Sequence, residues 1–342
     1  MLFVPPIFVW LRYSSQIAGP GGLYSFVEAG AGRTAARVQA ALWVFSYALY
    51  LVYTTTFIAY DVLPSVFPGM TAARPFAQLL VAGVVVGLVL LPVRRTLLAI
   101  AGLAMVQLAL VGALVAVELG HRGGSAVAAP TAHPADLLSA GGNLSLLFVC
   151  AGLPLFLGGE AQGGSRTVRT GLARGWAIAA VATVAATVPM AALAPQLLGA
   201  ALPGAALADA AGLPVLAKAV GVGVVGSVLG VMVAEFLALS RLLHALTGRA
   251  VNWLSRLLAV VLVVGSAAAL AQPQRVYEDL LKPSLIALWL SQLLVFVSYP
   301  FFVHRRHPER RRALPGAITV AAAASALMLF GLWSTIKNQL GT

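Results

Sequence analysis

Charge is what this sequence has least of: Asp, Glu, Lys and Arg together make up only 9% of its 342 residues. A water-soluble domain carries about 25%, so a soluble globular fold is excluded, and with it any large domain outside a membrane. Cysteine is almost missing as well. Cys150 stands alone in an apolar run, which excludes an intrachain disulfide and a CxxC metal site. Acidic residues number 10 against 22 basic ones, but the net charge of +12 does not point to nucleic acid. The basic residues lie in short clusters between apolar runs, a pattern that fits lipid headgroups. No HExxH, GxSxG, Walker or strand-linked GxGxxG signature occurs, so the chain is not expected to be an enzyme, and no cofactor or metal is expected. No secretory signal peptide is expected either, since the first apolar stretch has no basic region ahead of it and no small-residue cleavage site after it.

Apolar residues are abundant instead: 60% of the chain is hydrophobic and its mean hydropathy is +0.94. At about 20 residues per span, runs bounded by charge, Pro/Gly clusters or polar patches predict ten transmembrane helices in a single domain. They cover residues 1–17, 40–62, 75–93, 96–118, 143–162, 175–196, 216–239, 252–271, 283–303 and 314–336. If the loops alternate sides, sixteen of the 22 basic residues fall on one side, among them Arg94, Arg95, Arg166, Arg169 and the cluster from Arg305 to Arg312. That side is cytoplasmic by the positive-inside rule, and the expected location is the inner (plasma) membrane, as a multi-pass protein. The first run is short, with Leu2 to Leu11 uncharged before Arg12, and its start falls outside. Both features lead to the expectation that the chain is N-terminally incomplete.

The segment with most chemical content is Leu146 to Trp176, which carries Gly152, Pro154, Gly158 and Gly159 in one predicted span. Pro154 removes a donor and the glycines leave the backbone bare, so the helix should break there and free polar groups near 151–155. Such backbone is tolerated at membrane depth only beside protein or a water-filled cavity. Transporters build solute sites in this way; a proline kink without a ligand is the alternative. Glu160 is a candidate gating or proton-linked group, unless it pairs with Arg166 or Arg169 near the inner end. Glu235 is a second candidate, with Arg241, Arg249 and water as its other possible partners. In the second span Trp43, Tyr47 and Tyr50 share a helix face, where hydroxyls could line a solute path or simply pack.

Packing accounts for other features. Gly83 with Gly87, and Gly226 with Gly230, are spaced for close helix approach, and Gln107 for a hydrogen bond between helices. Trp43, Trp253, Trp289 and Trp333 lie near or within span ends, where interfacial anchoring explains at least some of them. The basic run His304–Arg312 reads as a cytoplasmic stop at anionic lipid, and the sequon Asn143-Leu144-Ser145 sits against a span and carries little weight.

Several stretches then fit a known pattern. Pro20 to Glu28, followed by Gly30 and Gly32, resembles the segment after the second helix of the amino acid, polyamine and organocation transporter superfamily. Phe156-Leu157-Gly158-Gly159-Glu160 resembles its broken sixth helix, Arg241 to Leu246 the end of its eighth, and Arg305 to Glu309 with Pro315 the basic turn after its tenth. The order holds along nearly the whole chain.

The resemblance implies two inverted five-helix repeats, with the family's first and twelfth helices absent here. It also implies Gly152, Leu153, Pro154 and Phe156 as pocket backbone or wall, and Glu160 as gate or proton-linked group. The lysine that proton-coupled members can carry in the fifth helix has no counterpart in 96–118. The expected function is therefore a permease for amino acids or related organic amines, working by alternating access, with a coupling proton or an exchanged solute and with membrane lipid as its surroundings. A transport-inactive sensor or assembly partner on the same scaffold is the alternative. An intramembrane enzyme would require Glu160 and Glu235 to face one shared cavity.

Overall fold

A computed structural model describes residues 3–121, 149–193, 195–306 and 314–340. Those residues are helical throughout, with no strand among them. The helices are α1 (Val4–Ser14), α2 (Leu23–Ala31), α3 (Arg33–Phe57), α4 (Leu63–Val66), α5 (Arg74–Val89) and α6 (Val93–His121). After them come α7 (Gly164–Leu193), α8 (Pro203–Ala210), α9 (Pro214–Thr247), α10 (Val251–Ala269), α11 (Pro273–Arg306) and α12 (Leu314–Leu340). A π-helical turn, Ile58–Val62, joins α3 to α4 without a break, and a 3-10 segment, Cys150–Leu157, precedes α7.

Among the described residues, eight helical stretches are long and apolar enough to cross a membrane: Arg33–Val66, Pro68–Val89, Val93–Gly120, Gly164–Val188, Pro214–Thr247, Val251–Ala269, Pro273–Arg306 and Leu314–Lys337. The two remaining expected spans are shorter. Residues 1–17 yield the 11-residue helix α1, and 143–162 yields the 8-residue 3-10 segment, with 143–148 outside the described residues. An 11-residue helix rises only about 16 Å, half of a bilayer core of about 30 Å.

The core is built on α3 and α11, which pack along each other and gather α2, α12 and α9 around them. Polar side chains join these elements inside the apolar bundle. Gln39 Nε2 donates to Ser291 Oγ at 3.0 Å, the hydroxyl of Ser284 donates to the Ser46 carbonyl at 2.9 Å, and Thr55 and Ser266 hydroxyls meet at 3.1 Å. Gln78 Nε2 bridges Thr56 Oγ1 and the Ser266 carbonyl, joining α5 to α3 and α10. In an apolar medium each of these links replaces a polar group that would otherwise lack a partner.

Glycine placement separates tight contacts from open faces. A Cβ on Gly30 would strike the Ser298 carbonyl oxygen, so α2 and α11 touch through backbone there. Gly226 and Gly230 take Leu103 of α6 against α9, as their spacing predicts, whereas Gly83 and Gly87 face open space and make no such contact. Spacing alone does not say which face a neighbour covers. Gly30→Ala is therefore expected to destabilise the fold by about 1–3 kcal/mol through overpacking. Gly83→Ala should instead stabilise it slightly, by up to about 1 kcal/mol, from helix propensity. Thermal unfolding of the two purified variants checks the contrast.

The tryptophans divide in the same way. Trp253 and Trp333 are exposed and lie under Arg249 and Lys337 at 4.7 and 5.0 Å, in the manner of interfacial anchors. Trp43 and Trp289 are buried, Trp289 donating to Thr335 Oγ1 across to α12. For these two, interior packing replaces the anchoring role.

Candidate functional site

The break expected around Pro154 is present as a 3-10 segment with Pro154 inside it, followed by a turn and by α7 from Gly164. The i→i+3 pattern tightens the backbone where Pro154 lacks an N–H. The segment does not place all its residues in one site. Gly152 lies against the Trp10 ring of α1, and Phe156 is fully buried between Trp43, with ring centroids 4.6 Å apart, and the backbone of Gly22. Gly22 has φ 48 and its missing Cβ would lie 2.5 Å from the Phe156 ring, so only glycine fits there. Phe156 thus packs against these two residues and is in the wall of neither cavity described below. Removing its ring (Phe156→Ala) should cost about 3–5 kcal/mol, read as a loss of folded protein on gel filtration and a lower Tm.

Leu153 and Pro154 line a different space. It is an apolar groove of about 380 Å³ between α6, α7, α9 and the 3-10 segment, with Ile100, Leu103, Leu172, Trp176 and Gly175 also in its walls. On the other side of Cys150 lies a second cavity, of about 240 Å³. Here Ser46, Tyr47, Tyr50 and Thr54 of α3 face Ser227, Val231 and Glu235 of α9. Tyr47 and Glu235, both expected to be functional, come together at this cavity.

Glu235 is the one acidic residue in the wall of that cavity among the described residues and is 0% exposed. Its Oε1 accepts a long bond from the Cys150 thiol at 3.9 Å, and its Oε2 is buried without a hydrogen-bond partner among the described residues. Neither Arg241 nor Arg249 reaches it. A carboxylate so placed is costly unless a cation or a proton meets it. No basic residue lines the cavity with it. On the α3 side Tyr47 and Tyr50 line the cavity with their rings 6.4 Å apart, and an aromatic ladder continues beyond it to Trp43, 4.2 Å from Tyr47, and to Tyr53, 5.8 Å from Tyr50. Rings of this kind present both a hydroxyl and a negative face to a cation.

Glu160 is elsewhere. It lies in the turn after the 3-10 segment and pairs with Arg241 rather than with Arg166 or Arg169. Arg241 Nε meets Oε1 at 2.9 Å and Nη2 meets Oε2 at 3.2 Å, a two-pronged bond to the inner end of α9. The arginine side chain is 2% exposed and the glutamate 39%. Arg241 also donates to the Leu237 carbonyl and the Ser240 hydroxyl, so its buried donors are well used. Glu160 and Glu235 therefore do not share a cavity, and a two-carboxylate catalytic arrangement is not formed. Gln107 sits over Gly223 with its Oε1 buried and unbonded.

Three of the stretches singled out in the sequence converge at this inner end. Ala18, Gly19 and Pro20 lie against Gly158 and Gly159, Gly21 approaches Ala245, and Arg241 holds Glu160. The fourth stretch, beyond Arg306, falls largely in 307–313, outside the described residues, as does the sequon at 143–145.

Fold and composition together define a multi-pass membrane protein, all-α among the described residues, with eight helices there suited to crossing a membrane. No family model matches the chain, and no curated protein matches it.

Proposed function

We propose that the chain is a secondary active transporter that moves amino acids or related organic amines across the inner (plasma) membrane by alternating access, and that it is not an enzyme. The observation that carries this reading is Glu235: a wholly buried carboxylate, one oxygen of which has no hydrogen-bond partner among the described residues, at a cavity with hydroxyls in its wall beside the 3-10 segment. A carboxylate held only for packing would be satisfied by its neighbours. One left open at membrane depth answers to a solute ammonium or a coupling proton. The convergence of Pro20–Glu28, Phe156–Glu160 and Arg241–Leu246 at one end supports the resemblance to the amino acid, polyamine and organocation superfamily, and with it the inverted-repeat scaffold.

In this mechanism an amine enters the cavity between α3, α9 and the 3-10 segment, and its ammonium pairs with Glu235 while the Tyr47 and Tyr50 hydroxyls and rings surround it. The Glu160–Arg241 pair holds the inner end shut. Release to the inside requires that pair to part, and an exchanged solute or a proton on Glu235 resets the site.

Uptake of radiolabelled amino acids and organic amines into proteoliposomes holding the full chain tests the reading. Time-dependent accumulation above that in protein-free vesicles is expected. Folded, reconstituted protein that takes up none of them would overturn the transporter reading in favour of a sensor or assembly role.

A further inference from the structure

The Glu235 cavity and the groove adjoin each other. Cys150, Ser227 and Val231 belong to the walls of both. On one side of this shared wall stands the uncompensated Glu235 with hydroxyls around it; on the other are Ile100, Leu103, Leu153, Leu172 and the Trp176 ring. The charge is thus at one end and the apolar volume at the other. The volumes of about 240 and 380 Å³ accommodate an ammonium head and a chain or ring behind it.

We infer that this composite site takes a lipophilic amine cation, its ammonium on Glu235 and its apolar substituent lying past Cys150 in the groove between α6 and α7. The inference rests on the transporter reading and narrows it to a substrate class. Two features argue against a zwitterionic amino acid. Among the described residues, neither cavity has a basic residue in its wall to receive a carboxylate. The nearest arginine along α9, Arg241, is about 9 Å further down the helix and already engaged by Glu160. A polyamine is disfavoured as well, because its second ammonium would be buried among leucines with no acid to meet it.

Cys150 supplies a direct readout, since it is the sole cysteine and stands in the shared wall. The full chain in nanodiscs is alkylated with N-ethylmaleimide at neutral pH in the presence of n-alkylamines from ethylamine to hexylamine. Hexanol, alanine and putrescine serve as comparisons. The thermal unfolding shift is read in parallel, so binding is measured even if the thiol reacts slowly.

The half-protecting concentration is expected to fall about fourfold per added methylene, with hexanol, alanine and putrescine far weaker than hexylamine. Glu235→Gln should raise the hexylamine requirement at least about tenfold, as for loss of a buried ionic partner. Gly175→Phe places a ring at the groove, where an added Cβ meets nothing within 4 Å, and its thermal melt beside the parent's shows that it is folded. This variant should abolish the chain-length dependence while ethylamine still binds.

Equal protection by hexanol, or by alanine and putrescine, would overturn the inference. So would a chain-length dependence that survives Gly175→Phe, which would assign the effect to bilayer partitioning. The two readings fail separately. Amino acid uptake without any hexylamine effect removes the lipophilic-amine inference and leaves a transporter; hexylamine binding without uptake of any amine removes the transporter and leaves the site.

Discussion

Glu235→Gln is expected to reduce uptake of an organic amine by about 100-fold, in line with the loss of a desolvated charge partner, while the Tm stays level or rises slightly. The two halves of this expectation have one cause. In the absence of solute the carboxylate gains little from its surroundings, since one oxygen accepts only a 3.9 Å thiol contact and the other accepts nothing. Neutralising such a group removes a desolvation penalty and leaves the helix packing as it was. With solute present the same carboxylate is the counter-charge for an ammonium at low dielectric, where the interaction is strongest. A purely structural glutamate behaves in the opposite way, losing stability and keeping activity. Uptake kinetics and a thermal melt on one preparation distinguish them.

Glu160→Ala is expected to destabilise the protein by about 2–4 kcal/mol, near the range for breaking a buried ion pair but reduced because Glu160 itself is partly exposed. The cost falls on Arg241, whose guanidinium is 2% exposed and would be left with only the Leu237 carbonyl and the Ser240 hydroxyl. Adding Arg241→Met removes the stranded charge and should restore most of the loss. A double-mutant cycle by thermal or denaturant unfolding measures the coupling. If the single glutamate variant melts like the parent, the pair contributes nothing at the inner end.

Much of this arrangement was legible locally. The interruption near Pro154 follows from one imino acid and its neighbouring glycines, and the multi-pass character follows from composition alone. The partners of the two glutamates were not legible, because they depend on which helix faces which. Arg241 follows Glu235 by six residues and so invites pairing in the sequence. At 3.6 residues per turn those side chains point about 120° apart, and Arg241 reaches instead to a turn 81 positions earlier. Gly83 and Gly87 carry the spacing of a packing motif on a face without a neighbour. Trp43 and Trp289 sit where anchors are common yet point inward, and Phe156 is claimed by Trp43 and by the bare backbone of Gly22, an approach no spacing rule encodes.

The hydrogen-bonded glutamines, serines and threonines of α3, α5, α10 and α11 have a mechanical consequence. Displacing any one of those four rods relative to the others breaks bonds that lipid cannot replace. Where α6 meets α9, Leu103 and Leu110 instead ride over Gly226, Gly230 and Gly223, a lubricated track along which a shift exchanges one apolar contact for another. The bundle is thus stiff on one flank and compliant on the other, and Glu235 occupies the seam between them.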